Sequence, residues 1–150
     1  MTIQEFYRRR LARKQALAAI DELSAQFERF KPTFSPPPHL DYRGPTPDNP
    51  INIAIPFELS HTPSTPPSSE NNEDTTEITK SGPALAFTSN NNVVHEYIEN
   101  LNRLLVELDR IESGGDTSVR EQRKQMIRNV EAEAQRMDRW IAAVWDLAQP

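Results

Sequence analysis

The sequence predicts an all-α fold with a long disordered insertion between its first and second helices, and three observations carry that prediction. Residues 2–30 and two stretches within 91–148 repeat apolar side chains at alternating steps of three and four, the period of a helix that buries one face. Twelve of the thirteen prolines lie in residues 31–90, outside all three helical patterns. Only a short Ser113-Gly114-Gly115 stop separates the second pattern from the third, so those two helices double back as antiparallel neighbours.

The first helix opens on Thr2 with Glu5 three residues later, the pairing that satisfies free N–H groups at a helix start. Its second half places Ala16, Ile20, Leu23, Phe27 and Phe30 in one seam. Its first half is basic. There Ile3 and Gln4, followed by Arg8 and Arg13, resemble the core of an IQ motif, with Arg9 where that motif has Gly. The resemblance implies calmodulin as a partner, the basic amphipathic helix being gripped by an acidic, Met-rich lobe. A solvated basic face is the plainer alternative.

Residues 31–90 change composition. Runs such as STPPSSENNEDTTE are too polar to offset chain entropy by burial, so a disordered linker rich in Pro, Ser and Thr is expected here. Two apolar islands interrupt it, PTFSPPPHLDY and INIAIPFEL. The second carries Ile51, Ile53 and Ile55 at every other position, a form that could add as a strand to a partner's sheet edge. It is similar to the short Ile-x-Ile peptides that dock on small heat-shock proteins; alternatively the islands fold back onto the helices. His39 and His61 lie here without companion ligands, which argues against a metal site.

The second helix follows Asn90, Asn91 and Asn92, residues suited to capping. Val94, Tyr97, Leu101, Leu104, Leu108 and Ile111 form its core face, and Glu99, Asn102, Val106 and Asp109 line another. After the glycine stop, Asp116 or Thr117 can cap the third helix. Its seam runs Val119, Met126, Val130, Met137, Trp140, Val144 and Leu147. Arg120, Arg123, Lys124 and Arg128 crowd its first turns, where the helix dipole favours acids. That small loss of stability suggests a docking use: Arg120, Arg123, Lys124, Ile127 and Glu131 share one face, which an antiparallel arrangement sets beside the Glu99 to Asp109 stripe. Pairing of Asp109 or Glu112 with these arginines inside the chain is the simpler alternative.

Composition narrows the function. The 150 residues carry a net charge of −5, and the mean hydropathy is −0.70. That balance argues against non-specific nucleic-acid binding, which needs a basic footprint. Without cysteine there is no disulfide, thiolate metal site or thiol nucleophile. No secretory leader and no run of roughly 18 apolar residues is present, so a cytoplasmic or nuclear protein with no membrane partner is expected. Enzyme chemistry is not expected, since Glu131 and Glu133 cannot share a helix face and His95 has no nucleophile beside it. No cofactor is implied.

The stretch ELDRIESGGDTSVREQRKQMIRNVEAEAQRMD resembles the BAG domain. The matching features are the Leu-rich helix ending in Leu108-Asp109, the Gly-containing turn, Val119-Arg120, Arg123-Lys124 and the closing Met137-Asp138. The resemblance implies an antiparallel three-helix bundle and a co-chaperone that binds the nucleotide-binding domain of heat-shock protein 70 class chaperones and promotes ADP release. The family's contact positions fall on Glu99, Asp109, Arg123 and Lys124, and Arg120 lies beside them. Glu131 stands where the family usually has Gln, and a carboxylate accepts hydrogen bonds but cannot donate them. A calmodulin-binding adaptor or a helical coiled-coil scaffold is the alternative reading. The expected organisation is therefore an IQ-like helix over 2–30, a linker over 31–90 and a BAG-like hairpin over 91–148.

Overall fold

The computed structural model describes residues 1–60 and 82–150. Three helices carry the fold, α1 (Ile3–Phe30), α2 (Asn92–Arg110) and α3 (Thr117–Leu147), the last about 46 Å long. The insertion adds an antiparallel pair of strands, β1 (His39–Tyr42) and β2 (Ile51–Ala54). The described residues form two compact units, Met1–Phe34 with Tyr97–Gln135, and Ser35–Glu96 with Arg136–Pro150.

The first unit is a three-helix bundle. Its buried side chains are the seam residues the periodicity selects: Ile20, Leu23 and Phe27 of α1, Tyr97, Leu101, Leu104 and Leu108 of α2, and Val119, Met126 and Val130 of α3. Each such burial stabilises by roughly 1.5–3 kcal/mol. Phe30 and Phe34 seal one end against Tyr97, with ring centroids 5.3 and 4.7 Å away. At the other end Arg13 reaches Asp116 at 3.4 Å, so α1 runs antiparallel to α2. The Tyr97 hydroxyl donates to the buried Glu133 carboxylate at 2.6 Å and ties α2 to α3.

Helix ends follow the sequence signals in two places. Thr2 and Glu5 exchange their side-chain bonds to backbone N–H groups, closing the expected capping box. Asp116 caps α3 by accepting from the Val119 N–H at 3.0 Å. The α2 start departs from expectation, because Asn90 and Asn91 turn their side chains toward Asp41.

In the second unit the two apolar islands of the expected linker over 31–90 are ordered and pack against α3, the fold-back alternative; residues 61–81 of that range lie outside the described ones. The two apolar islands meet as a hairpin with Leu40 opposite Ile53 and Tyr42 opposite Ile51. On the far edge of β1, Ala84 accepts from the Arg43 N–H and Asp41 from the Ala86 N–H, both at 2.8 Å, beside a bridge between Tyr42 and Leu85. Leu40, Tyr42, Ile53, Leu85, Val94, Met137, Trp140 and Val144 are buried. Tyr42 donates its hydroxyl to the Ile141 carbonyl at 2.6 Å and rests its ring 5.0 Å from that of Trp145. Trp140 donates its indole N–H to the Leu59 carbonyl at 2.9 Å. Gly82, at φ +87°, is required where the chain passes Trp145, because a Cβ there would lie 2.6 Å from its ring. Apolar burial thus offsets chain entropy in a segment whose composition hides it.

Ile51, Ile53 and Ile55 are spent in the same hairpin. Ile53 is buried, Ile51 is 38% exposed, and the Ile55 N–H bonds to the Pro38 carbonyl at 3.0 Å. A free Ile-x-Ile peptide for small heat-shock proteins is therefore not what this segment presents.

Asp41 organises the second unit. Its carboxylate accepts from Thr88 at 2.5 Å, Asn52 at 2.6 Å and Asn90 at 3.1 Å. Its backbone exchanges bonds with the Asn91 amide at 3.0 and 2.6 Å. The Thr88 bond, reinforced by Asn52 and Asn90, holds the carboxyl below its ordinary 3.8 despite the opposing cost of burial. Because the folded carboxyl binds its proton less readily than the unfolded one, this stabilisation is complete well above pH 3.8 and drains away as pH falls below it. Asp41→Ala should cost on the order of 3 kcal/mol at pH 7 by stranding three donors, and the deficit should shrink in denaturant melts repeated toward pH 3.

Candidate docking face on the helical hairpin

Two cross-links set the register of α2 against α3 in the bundle. Near one end Tyr97 meets Glu133; near the other, the Arg123 guanidinium donates to the Ile111 carbonyl just past the end of α2. In an antiparallel pair this register brings Asp109 level with Arg123 and Lys124, and Glu99 level with Glu131. The Glu99, Asn102, Val106, Asp109 stripe and the Arg120, Arg123, Lys124, Glu131 stripe are displaced in the same rotational sense from their buried seams. In antiparallel helices, that puts them on one side of the hairpin. The face is about 15 Å long between Glu99 and Asp109, with Arg120, Arg123 and Lys124 clustered toward the turn and Glu99 and Glu131 toward the far end.

The predicted residues differ in how free they are. Glu99, Asp109, Arg120, Lys124 and Glu131 are exposed, and Arg123 is half-buried. Among the described residues, neither Asp109 nor Glu112 forms an ion pair with the α3 arginines; the pairs found are Arg13–Asp116, Arg29–Glu22, Arg103–Glu99 and Arg110–Glu107. Glu99 is held loosely by Arg103 at 3.5 Å, one turn along the same helix, and such exposed pairs contribute under about 1 kcal/mol. Arg123 has a structural share that sequence reasoning missed. Its charge opposes the dipole at the start of α3 but complements the carbonyl end of α2, where the guanidinium satisfies a terminal acceptor. Only the register of the two helices reveals this.

The four IQ-like residues lie on α1. Ile3, Gln4 and Arg8 are exposed, whereas Arg13 is engaged by Asp116. A shallow concavity lined by Arg9, Ala12, Arg13, Glu112, Gly115 and Asp116 sets the interhelical turn beside α1 here, with Arg9, Ala12 and Arg13 still exposed. The second unit presents a feature no sequence pattern announced: Phe87 is 80% exposed, yet its ring stacks 4.8 Å from that of His95, with Arg43 5.4 Å away. Among the described residues no cluster of His, Cys, Asp or Glu is placed to hold a metal ion, and no helix is long and apolar enough to cross a membrane.

The first unit is thus a three-helix bundle with one mixed-charge face level across two helices. Residues 69–140 match the BAG domain family, so that stretch of the chain is similar to a BAG domain. That match reaches upstream of α2, into residues outside the described ones, and ends inside α3. A BAG domain implies a non-catalytic co-chaperone role and binding to chaperones of the heat-shock protein 70 class. No match is found among curated proteins or among solved structures.

The face can be separated from the scaffold by melting. Asp109→Ala and Lys124→Ala should leave unfolding free energy within about 0.5 kcal/mol of the parent, since neither side chain has a partner to lose. Arg123→Ala should cost about 1 kcal/mol through the freed Ile111 carbonyl. Urea melts followed by circular dichroism would measure both.

Proposed function

We propose that the α2–α3 face binds the nucleotide-binding domain of a heat-shock protein 70 class chaperone and promotes ADP release. The observation that supports this reading most directly is the register. It sets Asp109 level with Lys124 and Arg123 at one end and Glu99 level with Glu131 at the other, and among the described residues Asp109 and Lys124 form none of the ion pairs found. Carboxylates and cations at fixed separation make charge-assisted contacts that set docking orientation as well as affinity.

Exchange needs no chemistry from this chain. A bundle that binds the opened nucleotide cleft more tightly than the closed one shifts the chaperone toward opening, and by reciprocity ADP weakens the bundle's hold. A preference of about 1.4 kcal/mol changes nucleotide affinity tenfold. Glu131 accepts where an amide would also donate, so one contact in this complex is of acceptor type only. A cytoplasmic or nuclear location goes with this role.

The alternatives fare unequally. A coiled-coil scaffold would need an apolar seam, and Ile20, Leu23, Phe27, Leu101, Leu108 and Val130 are buried within the chain itself. A calmodulin-binding adaptor is supported by the exposure of Ile3, Gln4 and Arg8, but the fourth residue of that pattern, Arg13, is already paired with Asp116.

Titration of the chain against a heat-shock protein 70 nucleotide-binding domain, with and without ADP, tests the reading. Binding should be weaker with ADP, and Lys124→Ala should lose about 2 kcal/mol, roughly thirtyfold. The parent chain should accelerate ADP release and the variant should not. If Lys124→Ala and Asp109→Ala both bind as tightly as the parent, the docking face lies elsewhere.

A further inference from the structure

The first half of α1 carries an apolar stripe that the bundle does not use. Ile3, Tyr7 and Leu11 follow at steps of four with Phe6 beside them, and they are 77%, 64%, 56% and 55% exposed. At about 100° per residue, their mean direction lies roughly 140° around the helix from the Ile20, Leu23, Phe27 seam. The same helix therefore buries one face at its C-terminal half and leaves a different apolar face open at its N-terminal half.

Charge accompanies that open face. Residues 1–14 hold five bases and one acid in a chain whose net charge is −5. Arg10 and Lys14 stand within or beside the stripe, and Arg8 lies across the helix from it; all are exposed. A second copy of this helix would bring like charges together, which disfavours self-association through this face. An anionic occupant is favoured, and its shape is limited by the turn. On the side of Arg9, Ala12 and Arg13 the turn at residues 112–116 stands beside α1, and Arg13 is paired with Asp116 at 3.4 Å. A flat surface can cover the stripe and leave that pair intact, whereas an encircling partner has to displace it.

The geometry points to this end of α1 as an interfacial anchor for an anionic lipid surface. Ile3, Phe6, Tyr7 and Leu11 would enter the boundary between headgroups and acyl chains, while the long stems of Arg10 and Lys14 lie along the interface with their charges at the lipid phosphates. Each base near such a surface adds to an attraction that salt screens, so binding should require anionic lipid and fall as ionic strength rises. The helix would lie on the membrane and not cross it. This inference is independent of the chaperone reading, which uses α2 and α3.

Co-flotation of the full chain with vesicles tests it, comparing phosphatidylcholine alone with phosphatidylcholine plus phosphatidylserine. The chain should float with the anionic vesicles and stay behind with the neutral ones. Inorganic phosphate at matched ionic strength should leave the partition unchanged; displacement by phosphate would reassign the bases to a free-anion site and overturn the proposal. The triple variant Ile3→Ser, Tyr7→Ser, Leu11→Ser should lose about tenfold or more in partition, with its melting curve and its affinity for the chaperone domain unchanged. Arg10→Gln with Lys14→Gln should weaken binding to anionic vesicles and reduce its salt dependence. Failure of the parent chain to float, or equal flotation by the triple variant, would overturn the inference. So would retention on calmodulin without any flotation, which would give the stripe to an acidic protein instead.

Discussion

Six residues, Ile111–Asp116, join a helix of 19 residues to one of 31, and most of the structure follows from that constraint. Gly114 and Gly115 adopt φ of +58° and +80°, a region that side chains with a Cβ resist, so the chain reverses within a single turn. Once α2 and α3 are antiparallel, their seams face each other without further choice, and α1 completes the bundle. The register is then fixed by two polar contacts, Tyr97 to Glu133 and Arg123 to the Ile111 carbonyl. The mixed-charge face depends on that register, because a slip by one turn would set Asp109 against different neighbours.

The charged residues of the bundle fall into two kinds. Glu133, Asp116 and Arg123 satisfy groups that the fold would otherwise leave unpaired. Asp109, Lys124, Arg120 and Glu131 do nothing comparable for the bundle and remain hydrated. Arg123 belongs to both groups by position, which makes it a poor single reporter of docking: its loss removes a helix-end hydrogen bond as well as a cation on the face.

The helices and their seams were legible in the sequence because a buried helical face imposes a period of 3.6 that single residues such as Ile20, Leu101 or Val130 display. The hairpin was not legible, for a physical reason. β1 buries Leu40, Asp41 and Tyr42 in succession, so the alternation that marks a half-exposed strand is missing, and a carboxylate sits in the middle. Asp41 is tolerated there only because Thr88, Asn52 and Asn90 converge on it from positions 11 to 49 residues away. The two apolar islands stand out from the proline-rich composition, but their partners on α3 lie far along the chain, beyond what spacing can reveal. At the candidate site, stripe positions such as Glu99 and Lys124 could be read from spacing. The tie from Arg123 to a carbonyl 12 residues earlier could not, since it exists only once the turn has closed.

The two tryptophans lend the molecule an optical asymmetry. Trp140 and Trp145 both lie in the second compact unit, one bonded to the Leu59 carbonyl and the other beside Tyr42. Intrinsic fluorescence therefore watches the hairpin and the C-terminal part of α3, while far-ultraviolet circular dichroism is dominated by the helices. A mismatch between the two transitions on denaturation would mean that the units melt separately, and coincidence would mean one cooperative fold. The chain thus carries, without any label, a means of asking whether its insertion and its bundle share a single stability.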